Sequence, residues 1–140
     1  MYTYAALQAL AKVRSAAPAL RYGRYYFRPI SGDSVSFGVS PYPGGVLAWS
    51  RILNDTEVVL VANTNTAQGA SVDVIVEVSL STPGEQLRVL YSNSTAPTPP
   101  APVRTLQQVT VAEVNGSTST GPLNAIRVTL QPMELQILQR

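Results

Sequence analysis

Residues able to do chemistry are few in this chain. Its 140 residues include eight carboxylates, nine arginines and one lysine, Lys12, with neither histidine nor cysteine. Lack of histidine removes the commonest general base, the usual nucleophile triads and most zinc sites. Lack of cysteine removes disulfides, thiolate nucleophiles and iron–sulfur clusters. Carboxylate chemistry remains. A carboxylate pair that cleaves a glycosidic bond stands about 5–9.5 Å apart, according to mechanism. Asp73 and Glu77 share one strand face in the run SVDVIVEVSL. Four residues at ~3.4 Å each part their backbones by ~13 Å, too far without strong bending. Both are therefore expected on an outward face kept soluble. Asp33, Asp55, Glu57 and Glu85 fall in or beside turn signals. No pair of them shows the spaced acidic loop of a calcium site, and turn chemistry accounts for Asp33 and Asp55. GDS and WSR lack the nucleophile-elbow pattern. Gly44-Gly45 is not followed by the Lys-Ser/Thr of a phosphate loop. No catalytic residue, metal ligand or cofactor site is named by these patterns.

Aromatic residues are the other group that could meet a ligand. Tyr22, Tyr25, Tyr26, Phe27, Tyr42, Trp49 and Tyr91 carry flat amphipathic rings suited to sugar faces and to protein interfaces. Tyr25, Tyr26, Tyr42 and Trp49 are the candidates for sugar contact. Trp49 lies within an apolar strand and is expected in the core. The Tyr22 to Phe27 cluster joins a helix to a sheet, which favours core or domain packing over sugar contact.

The elements that must position these residues follow from periodicity. Residues 2–17 are rich in Ala and Leu, strong helix formers. Leu7, Leu10, Val13 and Ala17 recur at spacings of three and four, an apolar stripe on one helical face. Pro18 blocks continuation. After a turn at Gly23, strand patterns dominate. Tyr25 and Phe27 share one face, with Tyr26 and Arg28 on the other. Residues 40–45 read as a loop. VLAWSRIL and EVVLVANTNT read as a hairpin turning at residues 54–56, the second strand apolar enough to be covered on both faces. In SVDVIVEVSL, Val72, Val74, Val76, Val78 and Leu80 share the buried face. STPGEQ turns into the strand LRVLYS, and the proline-rich STAPTPPAP is expected to be a surface loop rather than a central strand. LQQVTVAEV leads to Asn115-Gly116, a strong hairpin signal. NAIRVTL and MELQIL are the last strands, split by Pro132.

Composition bounds the class. Val, Ile and Thr contribute 34 residues, Pro 11 and Gly 9, a β-weighted chain with many breaks in one domain. The formal charge is only +2, which predicts no strong phosphate attraction and no nucleic-acid partner. No apolar run approaches the ~20 residues of a membrane span, and no signal-type stretch opens the chain, which favours a cytoplasmic location. The expectation is an all-β fold, an antiparallel Greek-key β-sandwich of about eight strands preceded by one N-terminal α-helix.

Several segments together resemble one family. PALRYGR directly after an Ala/Leu helix, LAWSRILNDTEVVLVANTNT with its terminal Asn63-Thr64, and the closing VTLQPMELQIL resemble the C-terminal domain of α-amylase-type enzymes, glycoside hydrolase family 13. The resemblance is strongest over residues 18–66 and weak over 79–122. It implies that residues 1–18 correspond to the last helix of a catalytic barrel and 19–140 to the β-sandwich that packs on that barrel. In that family the catalytic acids and histidines sit on barrel strands, and none of their motifs occurs here.

The resemblance implies a structural domain that caps and stabilises the barrel of an enzyme acting on α-glucans. Leu7, Leu10, Val13, Tyr22, Tyr25, Tyr26 and Phe27 are the expected domain-interface residues. A helix of this length is marginal alone in water, so its stripe must fold onto the sheet or pair with a second copy as a homodimer. The alternative function is a carbohydrate-binding module that stacks α-glucan on the exposed aromatics.

Overall fold

A computed structural model describes residues 2–38, 45–77, 79–93, 99–112 and 118–140. The expected helix is α1 (Tyr2–Ala16), and Pro18 both ends it and starts another, α2 (Pro18–Tyr22). Ala17 is extended (φ −111°, ψ 100°), as a residue before proline tends to be. Pro18 then takes the first turn, where its missing N–H costs nothing. Gly23 closes α2 by donating its N–H to Ala19 O. A Cβ at Gly23 would lie 2.4 Å from Ala19 O and 3.0 Å from the Ile52 nitrogen, so only glycine lets the helix end meet the sheet.

The strands are β1 (Arg24–Phe27), β2 (Ile30–Ser31), β3 (Ser36–Phe37), β4 (Val46–Leu53), β5 (Thr56–Asn63), β6 (Ala70–Ile75), β7 (Gln86–Ser92), β8 (Ala101–Leu106), β9 (Thr110–Ala112), β10 (Thr118–Thr120), β11 (Leu123–Leu130) and β12 (Leu135–Gln139). Nine form one antiparallel sheet in the order β1-β4-β5-β12-β7-β8-β11-β6-β2. It curls so that β4, β5, β12 and β7 face β8, β11 and β6 across a shared core. That core contains Val46, Ala48, Val59, Val61, Leu87 and Leu138 from one half and Val72, Val74, Val103, Ile126 and Val128 from the other. Strands distant in sequence lie side by side, β12 against β5 and β11 against β6, as in Greek-key sandwiches. A small sheet, β10-β9-β3, covers Ile75, Leu106 and Leu123 with Phe37, Val109 and Val111.

Alternation in β5 serves two layers. Val59 and Val61 point into the inter-sheet core, while Val58 and Leu60 point outward under the helices. α2 lies on β4 and β5, and α1 lies on β7. Leu10, Val13, Ala17, Ala19 and Leu20 join Val58, Leu60 and Ile137 in this second cluster. A bulge between Ile137 and Leu138 pairs them with Tyr91 and Val89. The extra residue, Leu90, joins Tyr91 on the helix side.

Several expectations are corrected. The described strands number twelve because β2, β3, β9 and β10 span two or three residues, too few to show a period. β6 stops at Ile75 rather than Leu80, since the Glu77 N–H is drawn to the Glu57 carboxylate and a turn follows, with Ser81 N–H donating to Glu77 O. Pro102 lies inside β8, an interior strand. It is tolerated because Val103 exchanges its backbone bonds with Gly84 and Glu85 on the β7 side, so the Pro102 nitrogen faces β11, whose pairing with β8 begins only at Val103. Residues 40–44 of the expected loop, Val78, residues 94–98 of the proline-rich segment and the Asn115-Gly116 turn lie outside the described residues. β9 and β10 on either side of that turn do pair antiparallel.

Ile126 is fully buried in the inter-sheet core and Leu7 is 59% exposed. Ile126→Ala is expected to cost about 2–5 kcal/mol, and Leu7→Ala no more than about 0.5 kcal/mol. Urea unfolding of the two variants checks the contrast, and equal losses would contradict this core.

Candidate functional site

Three buried carboxylates come first, because acids are the only groups here suited to catalysis. Glu57 is 4% exposed. It accepts from Arg28 Nη2 (2.9 Å), Ser50 Oγ (2.7 Å), Ser81 Oγ (3.2 Å) and the Glu77 N–H (3.0 Å). Asp73 is fully buried, and ion pairs with Arg104 on β8 and Arg127 on β11 hold it, with Ser34 Oγ donating a further bond. Glu134 accepts from the Gln131 N–H (2.7 Å), Gln136 Nε2 (2.9 Å) and the Ser92 hydroxyl. The expectation of a solvated face for Asp73 is thus overturned. It does point away from the core, but arginines from two non-adjacent segments close over it. Glu77 remains partly exposed, and Arg28 Nη2 stands 3.6 Å from it and 2.9 Å from Glu57. That carboxylate pair escaped sequence reasoning, since its members come from β5 and the segment after β6. A guanidinium fills the space between them, and the polar cavity beside Glu57 holds about 90 Å³, well below the ~300 Å³ at which ligand sites begin. These acids are arranged to bind the chain's own donors.

The aromatic residues make a different surface. Every residue of β1 is exposed. Tyr25 and Phe27 are 61% and 65% exposed, which overturns an internal core role for them. They pair across the strand with Arg51 and Trp49 and so share the helix-bearing side of the sheet. The Arg51 guanidinium stacks 4.3 Å from the Tyr25 ring centre and donates from Nε to Gly23 O at 3.0 Å. Tyr26 points the other way, opposite Ser50, with Arg28 5.7 Å from its ring. Trp49 is half-buried under the helix layer rather than in the inter-sheet core, and its indole N–H is the one buried side-chain polar atom without a partner among the described residues. Leu10 and Val13 pack on the chain's own sheet, while Leu7 does not. β1 and β7 are four strands apart in the sheet, ~19 Å, so Leu7 on α1 and the Tyr25–Phe27 pair mark opposite margins of one broad face. α2 lies between them; the side chain of Tyr22, at its end, and Tyr42 are outside the described residues.

Comparison with known proteins bears on the fold. No protein-family model matches the chain, and no curated protein matches it. Among solved structures it is similar to a debranching enzyme from Nostoc punctiforme, at TM-score 0.54 and 20% identity, over 94% of this chain and 20% of that one. It is also similar to the trehalulose synthase MutB in complex with Tris, at TM-score 0.53 and 20% identity, over 94% of this chain and 17% of that one. An inactive double mutant of MutB gives TM-score 0.54 with the same coverage. The likeness is one of fold. The chain spans about a fifth of the length of each enzyme it matches.

One loop carries a pH signature. Asp33 Oδ1 accepts from the Ser36 N–H (2.9 Å), the Val35 N–H (2.9 Å) and the Ser31 hydroxyl (2.8 Å), the turn chemistry expected of it. These donors, the Ser36 N–H foremost, lower its pKa from 3.8 to about 2. A depressed folded-state pKa means stability that is present above the unfolded value and lost as pH falls through the folded one. Asp33→Asn is therefore expected to lower the thermal midpoint at pH 7, with the gap from wild type closing between about pH 4 and pH 2. A gap independent of pH over that window would refute the assignment.

Proposed function

We propose that this chain is a non-catalytic C-terminal β-sandwich domain of an α-amylase-type glycoside hydrolase or transglycosylase of family 13, and that it packs on and stabilises the catalytic barrel of a parent acting on α-glucans. One observation carries the reading: nearly all of this chain, 94%, superposes on about a fifth of two carbohydrate-active enzymes. Buried acids whose lone pairs are taken by internal donors support a structural role. On this reading residues 1–18 are the barrel's last helix and 19–140 the sandwich. Leu10 and Val13 then bind helix to sandwich, while Leu7, Tyr25 and Phe27 face the barrel.

A second reading, carbohydrate binding, is favoured by one feature. A groove of about 350 Å³ is lined by Phe27, Arg28, Ser119, Thr120, Pro122 and Leu123, at the lower end of the ~300–1,000 Å³ range of small-molecule sites.

Removal of this segment from the longer natural enzyme is expected to reduce soluble yield and thermal midpoint, with specific activity of the surviving soluble protein unchanged. Titration of the 140-residue chain with maltooligosaccharides, followed by tryptophan and tyrosine fluorescence, is expected to give no saturable change at millimolar sugar. Saturation would favour the second reading, and starch hydrolysis by this chain alone would overturn both.

A further inference from the structure

Charge is distributed unevenly along the chain. Residues 1–32 hold Lys12, Arg14, Arg21, Arg24 and Arg28 and no carboxylate, whereas the remainder holds five arginines and all eight carboxylates. The fold places this asymmetry in space. Arg28, Arg104, Arg127 and Arg140 are ion-paired with Glu57, Asp73 and Glu85. Lys12, Arg14, Arg24, Arg51 and Arg88 form no ion pair among the described residues. Lys12 and Arg14 are on α1, which lies over β7. Arg88 alternates with the core residues Leu87 and Val89 and so points to the helix side of β7. Arg51 lies beside Tyr25 on the same side, whereas Arg24 on the edge strand points the other way with Tyr26. The helix layer and β1 thus combine unpaired cations with the exposed rings of Tyr25 and Phe27.

We propose that this face docks an acidic protein surface whose carboxylates meet Lys12, Arg14, Arg51 and Arg88 while apolar groups cover Tyr25 and Phe27. The proposal rests on the reading that this face meets a parent barrel, and it adds the chemistry that barrel must present. Charge complementarity selects the occupant. A second copy would bring the same cations against each other. Arginine and tyrosine together, with a single lysine in the whole chain, match the composition of protein interfaces. Complementary charge at the rim chiefly sets association rate and partner choice.

Hydrogen exchange at the β1 amides in the longer natural enzyme tests this, against the 140-residue chain as the uncovered reference. β1 is expected to be protected in the enzyme. The exposed triple variant Lys12→Glu/Arg14→Glu/Arg88→Glu should lose about tenfold of that protection, with the loss shrinking between about 0.05 and about 0.5 M salt. Arg51→Gln should lose less, and Arg140→Gln, at an ion pair away from this face, nothing. If Tyr25→Ser/Phe27→Ser removes protection while the charge variants do not, the barrel reading stands and the acidic-partner proposal fails. If β1 is no better protected in the enzyme than in the isolated chain, both fail. Charge-dependent binding of the 140-residue chain to phosphatidylserine vesicles or to a short DNA duplex would assign the face to another partner and overturn the proposal.

Discussion

The structure depends on a strand buried on both sides. β5 sends Val59 and Val61 into the inter-sheet core and Val58 and Leu60 under the helices, and all four are buried. Each such side chain contributes roughly 1.5–3 kcal/mol relative to exposure. β12 repeats the arrangement beside it, with Leu138 inward and Ile137 outward. Such strands need cover on each face, so the sandwich alone is not a complete solution for this sequence. α2 and the C-terminal half of α1 supply the second cover. This explains why a helix with a weak amphipathic stripe stays docked.

Buried acids act as posts around this core. Glu57 ties β5 to Arg28 at the end of β1 and to the turn after β6. Asp73 ties β6 to β8, β11 and the loop at Ser34. Glu134 ties the turn before β12 to β7. Each joins segments far apart in sequence, and removal of a donor would leave a buried acceptor with fewer partners. Their acceptor positions point at donors of this chain.

Local features of the fold were legible in the residues, and non-local ones were not. The hairpin turning at Asn54, where φ is 55°, followed from an Asn-Asp pair between two apolar runs. Two-sided burial of β5 followed from its unbroken run of valines and leucine. Alternation put Asp73 on the face away from the core, which is correct. It could not show that Arg104 and Arg127 would arrive there from strands more than thirty residues on. The aromatic residues of β1 left core packing and domain packing open, and exposure removes the first. Rings normally signal a core, but β1 is an edge strand with no cover of its own. A single chain's pattern does not distinguish a ring buried in the core from one left on an open edge strand.

The junction at Gly23 has a mechanical consequence. Helix end and strand β4 meet there at a distance that leaves no room for even one methyl group, and Arg51 clamps the Gly23 carbonyl from the side. A joint so closely filled is a weld rather than a hinge. α2 is therefore fixed at one angle on β4, and a force carried by that helix passes straight into the sheet.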